Sequence, residues 1–127
     1  MLNALIVEDN LRFRQSMKEI LQTQFPKMVI MEAEDGREAF QQIGSSPPDL
    51  IFMDIRLPGE NGLELTQKIK ANFPQIVVII LTSYDLPEYR EAATRHGANH
   101  FLVKGSSSGE EIAAVVRSFF GNLGDRA

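Results

Sequence analysis

Three carboxylates, one hydroxyl and one amine each follow a short apolar run of the sequence. They are Glu8 and Asp9 after residues 4–7, Asp54 after residues 50–53, Thr82 after residues 76–81, and Lys104 after residues 101–103. Carboxylates about 4 Å apart repel each other by about 4 kcal/mol at an effective dielectric of about 20, so three in one crevice need a cation. An oxygen-only donor set favours a hard ion that also coordinates phosphate, and we predict Mg²⁺.

Each of these residues has an ordinary structural explanation when it is considered alone. Asp9 precedes Asn10 and suits a helix cap, and Asp54 suits a polar strand end near a turn. Thr82 alone is typical of a strand, and Lys104 alone is typical of a solvated surface. Together, the five residues favour a phosphoryl-transfer site, because that chemistry needs a carboxylate carrier, cations and hydrogen-bond donors in fixed positions.

The apolar runs are short and nearly continuous, which is typical of strands buried on both faces of a sheet. Five strands are predicted in this way, at residues 4–7, 29–31, 50–53, 76–81 and 101–103. Between the runs, apolar residues recur at helical spacing, which predicts five helices. Ser108 and Glu111 have the spacing of a capping box before the last helix. The fourth helix, residues 86–96, is alanine-rich and has a weak apolar stripe.

Strands that alternate with helices imply a parallel sheet with right-handed crossovers. The sequence therefore predicts an α/β, (βα)5 flavodoxin-like fold, with a doubly wound parallel five-stranded sheet in the order 2-1-3-4-5. In such a sheet the carboxyl ends of the strands share one edge, and ligands bind where the crossover direction changes, here between the first and third strands. We expect the five polar residues to converge there.

Composition places the chain among ordinary globular domains: 127 residues, 43% hydrophobic and 24% charged. We expect one domain over residues 1–121 and a tail or the start of a linker at residues 122–127. The net charge of −4 disfavours direct nucleic-acid binding, which needs clustered Lys and Arg. The sequence has no cysteine for disulfides or zinc thiolates. Its apolar runs are too short for a signal peptide or a membrane span, which favours a cytoplasmic protein.

Three segments of the sequence resemble the receiver domains of two-component response regulators. They are residues 5–10 (LIVEDN), residues 49–59 (DLIFMDIRLPG) followed by Asn61 and Gly62, and residues 101–104 (FLVK). The similarity covers essentially the whole chain, in order and with the spacing of the family. It implies a magnesium-dependent phosphorylation switch that reports its state through a change of surface.

The resemblance implies a role for each candidate residue. The implied roles are Asp54 as the phosphoacceptor; Glu8 and Asp9, with Asp54 and the backbone carbonyl of Arg56, as the Mg²⁺ ligands; Thr82 as the hydroxyl that bonds the phosphoryl group; Lys104 as its cationic partner; and Phe101 as the switch aromatic that responds to Thr82. The implied phosphodonor is the phosphohistidine of a sensor histidine kinase. Weak self-phosphorylation and autodephosphorylation do not make such a chain an enzyme in the metabolic sense. We also expect phosphorylation to promote a homodimer through the fourth helix, fifth strand and fifth helix.

Two positions depart from the usual pattern of the family. Glu8 stands where many members have aspartate, and its longer side chain suits a contact with the metal through water. Gly105 follows Lys104 where members usually have proline. Because a cis bond costs about 2.5–4 kcal/mol at a non-proline residue, we predict a trans Lys104–Gly105 bond. The stretch 104–107 resembles regulators with a C-terminal helix-turn-helix domain, so we expect any contact with DNA to be made by a further domain.

Other functions of a similar sheet fit the sequence less well. A phosphatase with an aspartyl-phosphate intermediate would need a second carboxylate for acid–base work, but Arg56 lies two residues after Asp54. A flavin protein would need a glycine- or hydroxyl-rich phosphate loop after the first strand, and the sequence has none there. A receiver domain that has lost phosphorylation and serves only as an interaction module is a third alternative, which a phosphorylation assay separates from the switch.

Overall fold

The apolar runs form a five-stranded parallel sheet in a computed structural model, which describes residues 2–121. The strands are β1 (Asn3–Val7), β2 (Val29–Ala33), β3 (Leu50–Met53), β4 (Val77–Thr82) and β5 (His100–Val103). The helices are α1 (Leu11–Gln24), α2 (Gly36–Ser45), α3 (Gly62–Asn72), α4 (Pro87–Arg95) and α5 (Gly109–Phe120). The strand order is β2-β1-β3-β4-β5, and every neighbouring pair is parallel. The predicted flavodoxin-like topology is confirmed.

Helices cover both faces of the sheet and divide the core into two layers. On one face, α1 and α5 pack against strand residues such as Ala4 and Ile6. On the other, α2, α3 and α4 pack against the alternate residues, such as Leu5 and Val7. Successive side chains of a strand point to opposite faces, so a strand covered on both sides must be apolar throughout. All four residues of β3 are accordingly buried.

Side-chain caps fix where most of the helices begin. Oxygen atoms of Asn10, Asp35, Asn61 and Ser108 each accept a hydrogen bond from the backbone N–H three residues later. The predicted start of α5 is thereby confirmed. In contrast, α4 begins at Pro87 without a side-chain cap bond. Among its residues, all of which the structure describes, only Ala93 is buried. As its weak stripe predicts, α4 has the fewest apolar anchors.

Two strands are longer at their carboxyl ends than the apolar runs predict. β2 continues through Glu32 to Ala33, because it lies at the edge of the sheet, where a polar side chain can reach other partners. β4 includes Thr82, which pairs with Val103 of β5. Strand-end polar residues can therefore belong to the strand itself rather than to the loop that follows.

The sequence also led to predictions about the Lys104–Gly105 peptide bond, membrane-spanning segments and the C-terminal tail. The Lys104–Gly105 bond is trans, as predicted, and Gly105 has a φ of 80°. Within residues 2–121, no helix is long and apolar enough to span a membrane. The tail predicted at residues 122–127 lies outside the described residues.

Candidate functional site

The carboxyl ends of β1 and β3 bring three carboxylates together. The two strands are neighbours in register, with Val7 opposite Met53, and the Asp54 backbone N–H donates to the Val7 carbonyl at 3.1 Å. Residues that follow the two strands therefore lie side by side. One carboxylate oxygen from each of Glu8, Asp9 and Asp54 lies within 4.8 Å of the other two. Glu8 and Asp54 are buried, whereas Asp9 is exposed.

The Lys104 ammonium lies between the two buried carboxylates. It donates to Asp54 Oδ2 at 3.2 Å and to the Glu8 carboxylate. The Lys104 backbone N–H donates to the Thr82 carbonyl at 2.8 Å, which fixes the start of the side chain against β4. Its ammonium also lies 4.3 Å from the centre of the Phe13 ring, in a cation–π contact. One cation thus offsets part of the repulsion among three anions.

Burial is the main cause that raises the pKa of Glu8 above its usual value, and the negative charge of Asp54 adds to the effect. Hydrogen bonds from Lys104 and from the Asn10 backbone N–H, the latter at 3.0 Å, oppose the rise. Three carboxylates thus share one ammonium, and two of them are buried. The cluster therefore retains capacity for a further cation, and its all-oxygen donor set fits Mg²⁺.

The loop after β3 holds Asp54 in a tightly packed position. Asp54 Oδ1 accepts a hydrogen bond from the Ile55 backbone N–H at 2.8 Å. The first residue of α3, Gly62, donates its N–H to the Ile55 carbonyl at 2.8 Å. A Cβ atom built on Gly62 would lie 1.8 Å from the Asp54 carbonyl oxygen. Only glycine therefore permits this approach of α3 to the strand end.

Thr82 and Phe101 lie on the neighbouring strands β4 and β5. The Thr82 side chain is fully buried, and its hydroxyl accepts a hydrogen bond from the Tyr84 backbone N–H at 3.4 Å. The half-buried Phe101 ring packs against the core beneath α4. The Arg90 guanidinium lies 4.7 Å from the centre of that ring and also pairs with Asp85 at 2.6 Å. Coupling between Thr82 and Phe101 stays a prediction.

The exposed Arg56 side chain contacts two aromatic residues that the sequence did not single out. Its guanidinium lies 4.5 Å from the centre of the Tyr84 ring. Tyr84 packs edge-to-face on Tyr89, with 6.1 Å between the ring centres. A hydrogen bond with Tyr89 raises the pKa of Arg56 above its usual value. These contacts link the loop after β3 to the first turn of α4, while the role of the Arg56 carbonyl as a metal ligand stays a prediction.

Arg14 is a further residue of the site that strand-end reasoning missed. It lies in α1 and is buried, and its Nη1 donates to the Glu8 backbone carbonyl at 2.6 Å. One sequence signal could have identified it. Arg14, Met17 and Leu21 share the buried face of α1 at helical spacing, so Arg14 places a charge where an apolar residue is expected.

Comparison with known proteins establishes the family of the chain. The model of the response regulator receiver domain matches residues 4–117. The chain is 35% identical over 116 residues to the oxygen regulatory protein NreC of Staphylococcus haemolyticus, a match that covers 91% of this chain and 53% of NreC. It therefore spans about half the length of the curated relatives that it matches.

Solved structures give the same result. A LuxR-family DNA-binding response regulator from Staphylococcus aureus superposes with a TM-score of 0.86 at 27% identity, over 94% of this chain and 98% of that chain. The signal receiver domain of the response regulator NarL from Mycobacterium tuberculosis superposes with a TM-score of 0.85, also at 27% identity, over 94% and 97% of the two chains. The chain belongs to the response regulator receiver domain family of two-component systems.

Proposed function

We propose that this receiver domain is a switch that accepts a phosphoryl group on Asp54 from the phosphohistidine of a sensor histidine kinase. The observation that carries the proposal is the cluster of three carboxylates within 4.8 Å, two of them buried and bridged by Lys104. A purely structural site would not gather like charges in this way, because each additional buried anion costs free energy. Mg²⁺ is the cofactor, held by Glu8, Asp9, Asp54 and the backbone carbonyl of Arg56.

In the transfer step, an Asp54 carboxylate oxygen attacks phosphorus and forms a new P–O bond. The P–N bond to the donor histidine breaks, and its electron pair stays on the imidazole nitrogen, which takes up a proton from solvent. The Ile55 N–H holds the plane of the Asp54 carboxylate for this attack. Lys104, already 3.2 Å from Oδ2, pairs with a phosphoryl oxygen. When bound by the acidic cluster, Mg²⁺ would supply further positive charge to the transferred phosphoryl group.

The output of the switch depends on Thr82 and Phe101. A phosphoryl group adds strong acceptor oxygens, and the buried Thr82 hydroxyl donates to one of them. The Thr82 side chain moves toward the phosphoryl group, which lets Phe101 turn inward and changes the surface of α4, β5 and α5. Support comes from the small number of buried side chains in α4. A helix that is loosely held can change position when the free-energy difference between its two states changes by a few kcal/mol. The changed face forms a homodimer.

The chain itself acts as a phosphorylated regulator with weak self-phosphorylation and autodephosphorylation, and it does not contact DNA. Its acidic net charge of −4 supports this assignment. The similar Staphylococcus aureus structure is described as a DNA-binding response regulator. In a protein of that kind, a separate output domain would contact the DNA and this domain would control it.

Intact-mass measurement tests the proposal. With Mg²⁺ and a small phosphodonor such as acetyl phosphate, the protein gains the mass of one phosphoryl group, and Asp54→Ala abolishes this gain. Asp49→Asn is a matched control, because Asp49 lies at the opposite end of the same strand, where its carboxylate accepts from the Asn3 N–H at 2.8 Å. Equal labelling of Asp54→Ala and the wild-type protein would remove Asp54 from its role. An unlabelled wild-type protein would favour an interaction module instead.

A further inference from the structure

Arg14 is a buried cation whose described contacts are with Glu32, Glu34 and the backbone of Glu8, not with the three carboxylates of the acidic cluster. Its side chain is 8% exposed. Nε donates to Glu32 of β2 at 3.0 Å, Nη2 lies 3.7 Å from Glu34, and Nη1 donates to the Glu8 backbone carbonyl at 2.6 Å. The planar guanidinium thus joins β2 to the end of β1 in one fixed geometry.

Pairing of charges does not by itself account for a buried arginine at this position. Replacing a buried ion pair by apolar residues is often neutral or stabilising, because desolvation offsets the Coulomb gain. The two glutamates already exceed the single charge of Arg14, so little positive potential is left over for the site. What remains specific to Arg14 is the hydrogen bond to the Glu8 carbonyl.

That bond completes the restraint of the Glu8 main chain. The Glu8 N–H donates to the Ala33 carbonyl at 2.9 Å, and the Glu8 carbonyl accepts from Arg14. Both backbone polar groups of Glu8 are therefore held, the N–H by β2 and the carbonyl by α1. With its backbone fixed, the Glu8 carboxylate can reach only a small region, which it shares with Asp54 and Lys104. Outer partners of this kind orient metal ligands and set their affinity.

We propose that Arg14 is a positioning residue that holds Glu8 for divalent-cation binding. This inference rests on the proposed function, because it takes the acidic cluster as the Mg²⁺ site. Arg14 touches neither the metal nor the phosphoryl group, and it acts through the Glu8 backbone. Loss of Arg14 therefore weakens Mg²⁺ binding and leaves the chemistry of Asp54 intact once the metal is bound.

The test compares Arg14→Met and Arg14→Lys with the control Lys18→Met. Lys18 contacts the same Glu32, at 3.4 Å, and its described contacts do not include Glu8. Calorimetric titration with MgCl₂ measures affinity, and intact-mass labelling at increasing Mg²⁺ measures the metal dependence of phosphorylation. We expect Arg14→Met to weaken Mg²⁺ binding by about 10- to 100-fold. Its labelling rate returns to the wild-type value at saturating Mg²⁺, and Lys18→Met stays within about twofold of wild type.

Arg14→Lys keeps the charge but not the planar fork, so its Mg²⁺ affinity falls between the wild-type and Arg14→Met values. It also serves as the test variant if Arg14→Met does not fold, as judged from its amide NMR spectrum. A folded Arg14 variant that binds Mg²⁺ as tightly as wild type overturns the inference and leaves the proposed function intact. Absence of Mg²⁺ binding by the wild-type protein overturns both.

Discussion

Replacing Lys104 by methionine removes the ammonium that lies between two buried carboxylates. Unit charges at the 3.2 Å of the Lys104–Asp54 pair attract by about 5 kcal/mol at an effective dielectric of about 20. Desolvation of the ammonium offsets part of this, and removal of one partner from a buried ion pair costs about 3–5 kcal/mol. Because the Lys104 side chain is 14% exposed, we expect the lower end of this range. The free energy of unfolding of the metal-free protein should fall by about 3 kcal/mol.

Urea unfolding with and without Mg²⁺ measures this effect. For a slope of about 1.5–2 kcal/mol per molar urea, the midpoint of metal-free Lys104→Met falls by about 1.5–2 M. Mg²⁺ binds the folded protein and adds about 2.7 kcal/mol at about 100 times its Kd. The variant leaves the buried carboxylates of Glu8 and Asp54 without their ammonium. We therefore expect Mg²⁺ to bind it more tightly and to restore more stability than it adds to the wild-type protein.

Lys68→Met is the matched control for this experiment. Lys68 pairs with Glu60 on the surface, where the two side chains are 58% and 30% exposed. Such a pair contributes about 0–1 kcal/mol, and its loss should not depend on Mg²⁺. Equal midpoints for the two variants would refute the reasoning. So would a Lys104→Met variant whose stability Mg²⁺ raises no more than that of wild type, because Lys104 would then not act as the counter-cation of the cluster.

Three other perturbations test separate parts of the site. Gly62→Ala places a methyl group against the Asp54 carbonyl and should cost about 1–3 kcal/mol and slow labelling, whereas Gly44→Ala in α2, with open space around it, should stabilise by about 0.4–1 kcal/mol; equal urea midpoints would contradict this. In chelator, the raised pKa of Glu8 means that the folded state binds its proton more tightly than the unfolded chain. The stability of wild type relative to Glu8→Gln should therefore fall as pH rises above the usual value of 4.5, and a pH-independent difference in urea midpoint would oppose it. A beryllofluoride mimic on Asp54 should shift the amide resonances of residues 84–104 most strongly and promote dimerisation, with smaller shifts in Thr82→Ala; shifts concentrated in α1 would exclude the proposed coupling.

The central strands of the fold could be predicted because both of their faces are covered. A strand such as β3, with all four residues buried, leaves a continuous apolar run in the sequence. The edge strand β2 is harder to delimit, because Glu32 interrupts the pattern. Glu32 is tolerated there since Arg14 and Lys18 pair with it. The end of β2 therefore depends on partners from α1, which no periodicity within the strand reveals.

The acidic cluster and Lys104 could be predicted for a topological reason. In a parallel sheet the residue after each strand must reach the same edge, so position in the sequence fixes proximity in space. Arg14, Phe13 and Tyr84 escape this reasoning, because they reach the site from a helix and a loop. Their contacts depend on side-chain direction and on the path of the backbone after each strand. Only the folded structure specifies those.

Charge at the site explains why the response to phosphorylation should travel through β4 and β5. Before transfer, three carboxylates face one ammonium; afterwards the proposed Asp54 phosphate carries about −1.5 to −2 in place of −1. The added charge increases the demand on Lys104 and on the Thr82 hydroxyl. Those two residues are joined by the hydrogen bond from the Lys104 N–H to the Thr82 carbonyl, 2.8 Å long. We therefore expect a shift of either strand end to move the other, and we expect Phe101 of β5, three residues before Lys104, to respond to that shift.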